Sequence, residues 1–317
     1  MTSMAAGEAP QGRDDCPELT RIIDLIAKEN PLQKKRIEGF LATRGPEYWA
    51  FAEGLSRILN HSFMTDDTAR AEAARAYNKM CMDFLSEQIR FKKSGKYRID
   101  NSCLAQTHVY NDLSVMRYYM IGLLVSYMFW PNHYALFDFF LKHLPAADTG
   151  RYLEIGLGHG LFSSTMLSRY PNIHGTAVDI SETSIRIAKE TLRTFQADLG
   201  RLEIVHGDYL TTDIGARNFD FIIMGEVLEH VNDARAFMDR TKELLAPGGT
   251  VYMSTCANCP ALDHVYHFHS AAEIRQLMTE SGFRIRHDLA LAAENIPEEK
   301  WEEELVTVNY CALLEHA

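Results

Sequence analysis

Apolar residues recur at helical spacing through the first 150 residues of the chain. Within residues 65–93, for example, Ala73, Tyr77, Met80 and Phe84 follow one another at intervals of three or four residues, which is typical of a helix with one buried face. Several such stretches begin with proline, which suits a first helical turn because its missing N–H has no partner there. We therefore predict six helices and no strand in this half, with the helices at residues 17–30, 31–44, 46–60, 65–93, 110–130 and 132–144.

The pattern changes after residue 150, where short apolar runs alternate with helical segments. Helices between parallel strands make right-handed crossovers and cover both faces of the sheet. The last two strands follow each other without a clear helix, which indicates an antiparallel finish at one edge. The predicted strands are 152–155, 175–180, 202–206, 219–224, 250–254, 283–292 and 305–314, and the predicted helices are 161–169, 182–195, 233–245 and 271–281.

The predicted fold is therefore α/β, with a doubly wound, seven-stranded, mostly parallel sheet at residues 146–317. An all-helical N-terminal cap at residues 17–145 precedes it. A length of 317 residues agrees with about two such domains. Residues 1–16 are predicted to be a mobile tail.

Charge and composition exclude several classes of protein. A formal charge of −11 disfavours broad nucleic-acid binding, because an acidic surface repels phosphate groups. Six scattered cysteines fit a reducing cytoplasm. The N-terminus lacks the features of a signal peptide, and the most apolar run, at residues 118–130, has 13 residues. A membrane-spanning helix needs roughly 20. We expect a cytoplasmic protein with no membrane partner, and the sequence leaves a homodimer open.

Three glycines follow the first predicted strand. Gly156, Gly158 and Gly160 occupy every second position directly after Glu154 and Ile155. Glycine permits a tight turn and lets a ligand approach the backbone closely. Ligands of open parallel sheets bind beyond the carboxyl ends of the strands, so this loop is a candidate binding site. The dinucleotide fingerprint would need glycine at position 161, where the chain has leucine.

The next two strands also end in carboxylates. Asp179 closes the second strand, where a carboxylate can accept both hydroxyl groups of a ribose. Its alternative role is to cap the next helix, for which Ser181 is the better candidate. Asp208 follows the third strand and can accept from an adenine amino group, although a turn aspartate is the alternative.

Taken together, these residues resemble the class I S-adenosylmethionine-dependent methyltransferases. The loop 154–160, Asp179, Asp208, the stretch 219–226 and the sequence 246–249 fall in the order and spacing of that family. The resemblance implies a Rossmann-like fold over about 146–317, S-adenosylmethionine as cofactor, and a cap that closes the pocket and selects the substrate. The residues that it assigns to the cofactor are Glu154, Gly156, Gly158, Gly160, Asp179, Ile180, Asp208, Tyr209 and Glu226.

A second group of polar residues follows the fourth and fifth strands. If residues 226–230 turn as a helix, Glu226, Glu229 and His230 share one face, and His264 lies after the neighbouring strand. Carboxylates and imidazoles together can bind Mg²⁺, Mn²⁺, Fe²⁺ or Zn²⁺. The pattern is similar to that of metal-dependent small-RNA 2′-O-methyltransferases and some ubiquinone-pathway O-methyltransferases.

Other roles are open for the same side chains. The glutamates can bind the amino group of the cofactor or the next helix end. His230 or His264 can act as a general base, with Glu226 as the third candidate catalytic residue, or the histidines can simply be buried. Nearby, Cys256 and Cys259 form a C-x-x-C pair for which two ordinary loop cysteines are the default interpretation, since a structural zinc would need two more ligands.

The substrate is expected to meet the cap. Its aromatic residues at helical spacing are mostly typical of a core. Yet the last cap helices must pass beside the pocket, so we predict that Tyr118, Tyr127, His133 and, from the catalytic domain, His267 face substrate or cofactor.

Three functions compete. The first is methylation of a small metabolite at oxygen, nitrogen or carbon, in specialised biosynthesis, with the small molecule as partner. The second is 2′-O-methylation of RNA, which the glutamate–histidine pattern suggests and the acidic charge disfavours. The third is a non-catalytic module that binds S-adenosylmethionine, because cofactor motifs do not prove turnover.

Overall fold

The computed structural model describes residues 10–215 and 218–317, apart from the side chain of Ser62. The six helices predicted in the first half are confirmed, with ends that differ by up to three residues. Four of them begin with proline. Their observed bounds are α1 Pro17–Glu29, α2 Pro31–Leu41, α3 Pro46–Ser62, α4 Asp67–Ser94, α6 Leu113–Phe129 and α7 Pro131–Lys142, with a short α5 at Ser102–Ala105.

The region before α6 differs from the prediction. The predicted helix 110–130 begins only at Leu113, because the Asp112 side chain accepts the N–H groups of Ser114 and Val115 and starts a new helix there. The preceding residues, Gln106–Tyr110, form a separate π-helical turn.

The second half contains the predicted seven-stranded sheet. Its order is β3-β2-β1-β4-β5-β7-β6, and β7 runs antiparallel to both of its neighbours. The antiparallel step is therefore confirmed, although β7 lies between β5 and β6 rather than at the edge. The strands are β1 Thr149–Ile155, β2 Asn172–Asp179, β3 Leu202–His206, β4 Phe219–Gly225, β5 Leu245–Ala257, β6 Phe283–Ala292 and β7 Val308–His316.

Four helices connect the strands as predicted: α8 Leu161–Arg169, α9 Glu182–Thr194, α10 Ala234–Leu244 and α11 Ala271–Glu280. The strand order reverses between β1 and β4, since β2 and β3 follow on one side and β5 on the other. Such a reversal opens a crevice beyond the carboxyl ends of the strands.

Two hydrophobic clusters fill the molecule, one on each face of the sheet. The first joins cap residues such as Phe137 and Phe140 to Tyr152, Phe221 and Tyr252 of the strands. The second packs α10 and α11 against the opposite face. The cap thus shares its core with one face of the sheet.

The predicted tail is only partly described. Residues 1–9 lie outside the described residues, whereas a 3₁₀ turn forms at Arg13–Asp15. Cys16 is fully buried, with its Sγ 3.8 Å from the carbonyl oxygen of Trp49, so the chain packs onto the cap before α1 begins. In the described residues, no helix combines the length and apolarity that crossing a membrane requires.

Candidate active site

The loop after β1 takes a path that only glycine adopts easily. Gly156, Gly158 and Gly160 have φ values of 74°, 51° and 78°. A Cβ at position 160 would lie 3.2 Å from Ala188 of α9, so that glycine allows close packing of loop and helix. A Cβ at position 158 would meet no protein atom closer than 4.0 Å. That side of the loop is open to a ligand.

Asp179 fastens this loop to the end of β2. Its carboxylate accepts the N–H of Gly158 at 3.0 Å and that of Ser181 at 2.7 Å. Burial raises its pKa. Ser181 in turn accepts the N–H of Ser184 and caps α9, so the capping role falls to the serine, as expected. Asp179 also forms part of the wall of the cavity beside the loop.

Glu154 does not reach that cavity. Its side chain is 1% exposed, lies behind the loop, and accepts a hydrogen bond from Ser163 of α8. Burial raises its pKa to about 8. The prediction that this side chain surrounds the cofactor is therefore corrected: Glu154 belongs to the interior between β1 and α8, because successive strand residues point to opposite faces.

The predicted adenine-binding residues stand beside the same cavity. Ile180 is 43% exposed, and the exposed Asp208 accepts the N–H of Leu210 at 2.9 Å. Tyr209 also borders the cavity, but its hydroxyl pairs with Thr241 at 3.1 Å, which fixes the ring on the inner side. Asp208 thus provides an accessible polar group beside the cavity, and Ile180 provides an accessible apolar group.

The cavity itself has a volume of about 1000 Å³ and lies between the cap and the carboxyl ends of β1, β2 and β4. It contains the predicted residues Tyr127 and His133 in its wall. Burial lowers the pKa of His133 to about 3, so its ring is neutral. Aromatic rings make up much of the wall, among them Phe84, Tyr110, Tyr119, Tyr127, Trp130 and Phe162.

Two predicted substrate residues lie elsewhere. Tyr118 is outside the cavity wall and donates its hydroxyl to Asp83 at 2.7 Å, while its neighbour Tyr119 lines the cavity. Adjacent helical residues face about 100° apart, so an error of one position changes the face. His267 is also outside the wall, because its ring packs against Tyr97 and its Nε2 pairs with Asn258.

A polar network joins the cap to the loop after β5. The His230 Nδ1 lies 3.1 Å from the Tyr110 hydroxyl and 3.4 Å from Asp263 Oδ2. The Tyr119 hydroxyl donates to the other Asp263 oxygen at 3.1 Å. Asp263 was absent from the predicted site residues, although its position directly before His264 could have drawn attention to it. The structure makes His230 a carboxylate-paired imidazole at the cavity wall.

Glu226 and Glu229, near His230, do not lie on the α-helix that the sequence analysis considered. Only Leu228–His230 form a turn, and it is a 3₁₀ turn rather than an α-helix. Glu226 adopts a φ of 53°, and among the described residues its Oε1 is buried without a hydrogen-bond partner. Burial and the neighbouring Glu229 raise the pKa of Glu226 well above its ordinary value. Glu229 is fully buried and accepts the Thr255 hydroxyl at 2.7 Å.

The four predicted metal ligands do not form one set. Ligand atoms of Glu229, His230 and His264 lie within 4.8 Å of one another, whereas Glu226 groups with Glu229 and Cys256. The four side chains that the sequence suggested as one ligand set therefore divide into two groups.

His264 has different neighbours from His230. Its Nδ1 lies 2.6 Å from the Cys259 carbonyl oxygen and 3.8 Å from Cys256 Sγ. Burial by itself lowers the pKa of His264, but the Cys259 thiol and the Glu229 carboxylate outweigh burial and raise it to about 10. An imidazole that carries a proton at neutral pH cannot accept one, so His230 is the better candidate base.

With this geometry, the chain can be compared with known proteins. A family model described as "Methyltransferase domain" matches residues 126–288, just over half of the chain. The chain belongs to this family of class I S-adenosylmethionine-dependent methyltransferases. The match begins within α6, so the earlier cap helices lie outside the family region.

Curated relatives of this methyltransferase-family chain are distant. An O-methyltransferase from Pyrenophora dematioidea is 24% identical over 157 residues, which cover 46% of this chain and 58% of that protein. A ubiquinone biosynthesis O-methyltransferase from Psychrobacter arcticus is 26% identical over 200 residues, covering 53% of this chain and 74% of that protein. The chain thus spans less than two thirds of the first relative's length.

Solved structures confirm the Rossmann-like methyltransferase fold. Phosphoethanolamine N-methyltransferase 2 from Haemonchus contortus, solved with S-adenosyl-L-methionine, matches with a TM-score of 0.52 at 12% identity, covering 69% of this chain and 60% of that one. Membership in the family implies S-adenosylmethionine as the cofactor.

Proposed function

We propose that this chain transfers a methyl group from S-adenosylmethionine to an oxygen atom of a small aromatic metabolite. One observation supports this most strongly: the glycine loop and the His230–Asp263 pair border the same cavity of about 1000 Å³. A site for a methyl donor and a proton acceptor therefore share one enclosed space.

The cofactor would lie along the loop after β1. The open side of Gly158 allows its methionine part to approach the backbone, Asp179 is placed to accept the ribose hydroxyl groups, and Ile180 with Asp208 would border the adenine. When bound, S-adenosylmethionine supplies an electrophilic methyl group on a sulfonium sulfur. The cap excludes water from this space and aligns the acceptor, and alignment alone can lower the barrier by roughly 7–11 kcal/mol.

His230 would act as the general base. Since Asp263 and Tyr110 occupy its Nδ1, the Nε2 nitrogen remains to take the proton of an acceptor hydroxyl. The hydroxyl oxygen then bonds to the methyl carbon, and the electrons of the carbon–sulfur bond stay on sulfur as a neutral thioether. The Asp263 carboxylate orients the ring and stabilises the imidazolium that forms, which makes it a positioning residue.

The shape and chemistry of the cavity favour a small acceptor. Rings of Phe84, Tyr119 and Trp130 line it, so an aromatic molecule can pack by edge-to-face contacts. An oxygen acceptor is favoured because both curated relatives described above are O-methyltransferases by name. The formal charge of −11 disfavours the RNA alternative. Because the four predicted metal ligands do not come together as one set, no step is assigned to a metal.

The proposal is tested with two variants and a matched control. We expect His230→Asn and Asp263→Asn to reduce kcat about 10²- to 10⁴-fold while the Kd for S-adenosylmethionine is unchanged, because neither residue belongs to the cofactor wall. His174→Asn, at an exposed position of β2, should keep full activity.

The measurement uses methyl-labelled S-adenosylmethionine with a library of small phenols, and calorimetry gives the Kd. Full turnover in His230→Asn would refute the role of the base. Failure of the wild-type chain to bind S-adenosylmethionine would overturn the proposed function as a whole.

A further inference from the structure

We propose that Cys256, Cys259 and His264 form a three-ligand zinc site at the wall of the cavity, with Glu229 beside it. Zinc binding goes beyond methyl transfer and does not depend on it. The site also differs from the metal site that the sequence suggested, because two thiolates replace Glu226, Glu229 and His230.

The distances between the donor atoms suit a tetrahedral zinc ion. Ligand atoms of Cys256, Cys259 and His264 all lie within 4.8 Å of one another. Bonds of about 2.3 Å from zinc to sulfur and about 2.0 Å to nitrogen place tetrahedral ligands roughly 3.6–3.8 Å apart. The Cys256 Sγ lies 3.8 Å from His264 Nδ1, and the hydrogen bond of this nitrogen to the Cys259 carbonyl oxygen, at 2.6 Å, must break for it to bind the ion.

The backbone folds the two cysteines toward each other. Cys256 lies near the end of β5, and Asn258 turns the chain with a left-handed φ of 49°. The Asn258 N–H bonds to the carbonyl oxygen of Phe268, and the Cys259 N–H donates to the Tyr97 hydroxyl at 2.9 Å. These two hydrogen bonds fix the turn, which favours two cysteines that are already positioned as ligands.

Glu229 lies next to this ligand set. Its Oε1 lies 4.0 Å from Cys256 Sγ, and Thr255 donates to the other oxygen, Oε2. Glu229 is fully buried, and a divalent ion would place a positive charge beside its carboxylate.

The donor set selects the kind of ion. Two thiolates and an imidazole prefer zinc to magnesium, calcium or manganese, which favour oxygen ligands. Both cysteines would bind such an ion as thiolates. The ion would connect the end of β5 to the loop that carries Asp263, while His230 stays free to accept a proton.

The first test is the metal content of the chain, purified without chelator and then incubated with zinc alone. We expect about one zinc ion per chain by plasma mass spectrometry, and at least a tenfold lower content in Cys256→Ser and Cys259→Ser. Cys311→Ser is the matched control, because Cys311 is buried in β7 outside the cluster. His230→Asn and Glu226→Gln should retain the zinc.

The second test does not depend on how the variants fold. Cobalt(II) replacing zinc in the wild-type chain should give a tetrahedral visible spectrum with a thiolate-to-cobalt charge-transfer band. Absence of bound metal, a cobalt spectrum without the sulfur band, or folded cysteine variants that keep their zinc would each overturn the proposal. No acceptor is needed, so this result is separate from any failure of methyl transfer.

Discussion

Burial changes the protonation of single residues in this chain. Glu154 lies near the end of β1 and accepts a hydrogen bond from Ser163, and burial raises its pKa to about 8. The folded state therefore holds a proton that the unfolded state releases near pH 4.5. The stabilisation from this proton is complete below that pH and is lost as the pH rises through about 8.

The Glu154→Gln variant should remove this pH dependence. One pKa unit corresponds to about 1.4 kcal/mol, so between pH 5 and pH 9 the wild type should lose about 4 kcal/mol of unfolding free energy relative to the variant. Urea unfolding at several pH values measures the difference. Glu203→Gln, at an exposed position of β3, is the control and should follow the wild type. Parallel curves for Glu154→Gln and wild type would contradict the expectation.

At the scale of elements, the loop after β1 combines a strained backbone with an open face. Gly158→Ala places a methyl group in the space that a ligand would occupy and also forces alanine to a φ near 51°. Gly248→Ala creates the same kind of strain at φ 79°, at an exposed position of β5 where a Cβ meets no atom within 4 Å.

We expect both glycine variants to lose about 1–2 kcal/mol of stability, but only Gly158→Ala to lose affinity for S-adenosylmethionine, at least tenfold. Thermal unfolding and calorimetry measure the two effects separately. Equal affinities in both variants would show that the cofactor does not approach this loop.

The observed ends of the helices and strands show which boundaries the sequence pattern predicts poorly. The apolar spacing of residues 110–130 predicts one helix that includes Tyr110. The actual start at Leu113 depends on the Asp112 cap, a local hydrogen bond that periodicity does not contain. Strands such as β3 and β6 were predicted with their observed bounds, since their apolar runs are bordered by clear changes of pattern.

For the whole molecule, the shared core predicts that cap and sheet unfold together. Phe140 of α7 is fully buried and packs against Phe162 and Tyr252 of the catalytic domain. Phe140→Ala should cost about 3–5 kcal/mol and shift a single unfolding transition to lower temperature. Leu32→Ala, at a side chain that is 77% exposed, should change little.

Calorimetry together with circular dichroism in the far and near ultraviolet measures this cooperativity. Two separate transitions, of which only one responds to Phe140→Ala, would show that the cap is an independent folding unit.

The sequence by itself determined the order of helices and strands and placed the glycine loop, Asp179 and Asp208 at one edge of the sheet. These conclusions follow from local periodicity and from the rule that parallel strands end at the same side. Only the tertiary structure decided that Tyr119 rather than Tyr118 faces the cavity, that Asp263 pairs with His230, and that the two cysteines meet His264. Such contacts depend on how helices rotate and how loops fold back, and neither is encoded in the spacing of neighbouring residues.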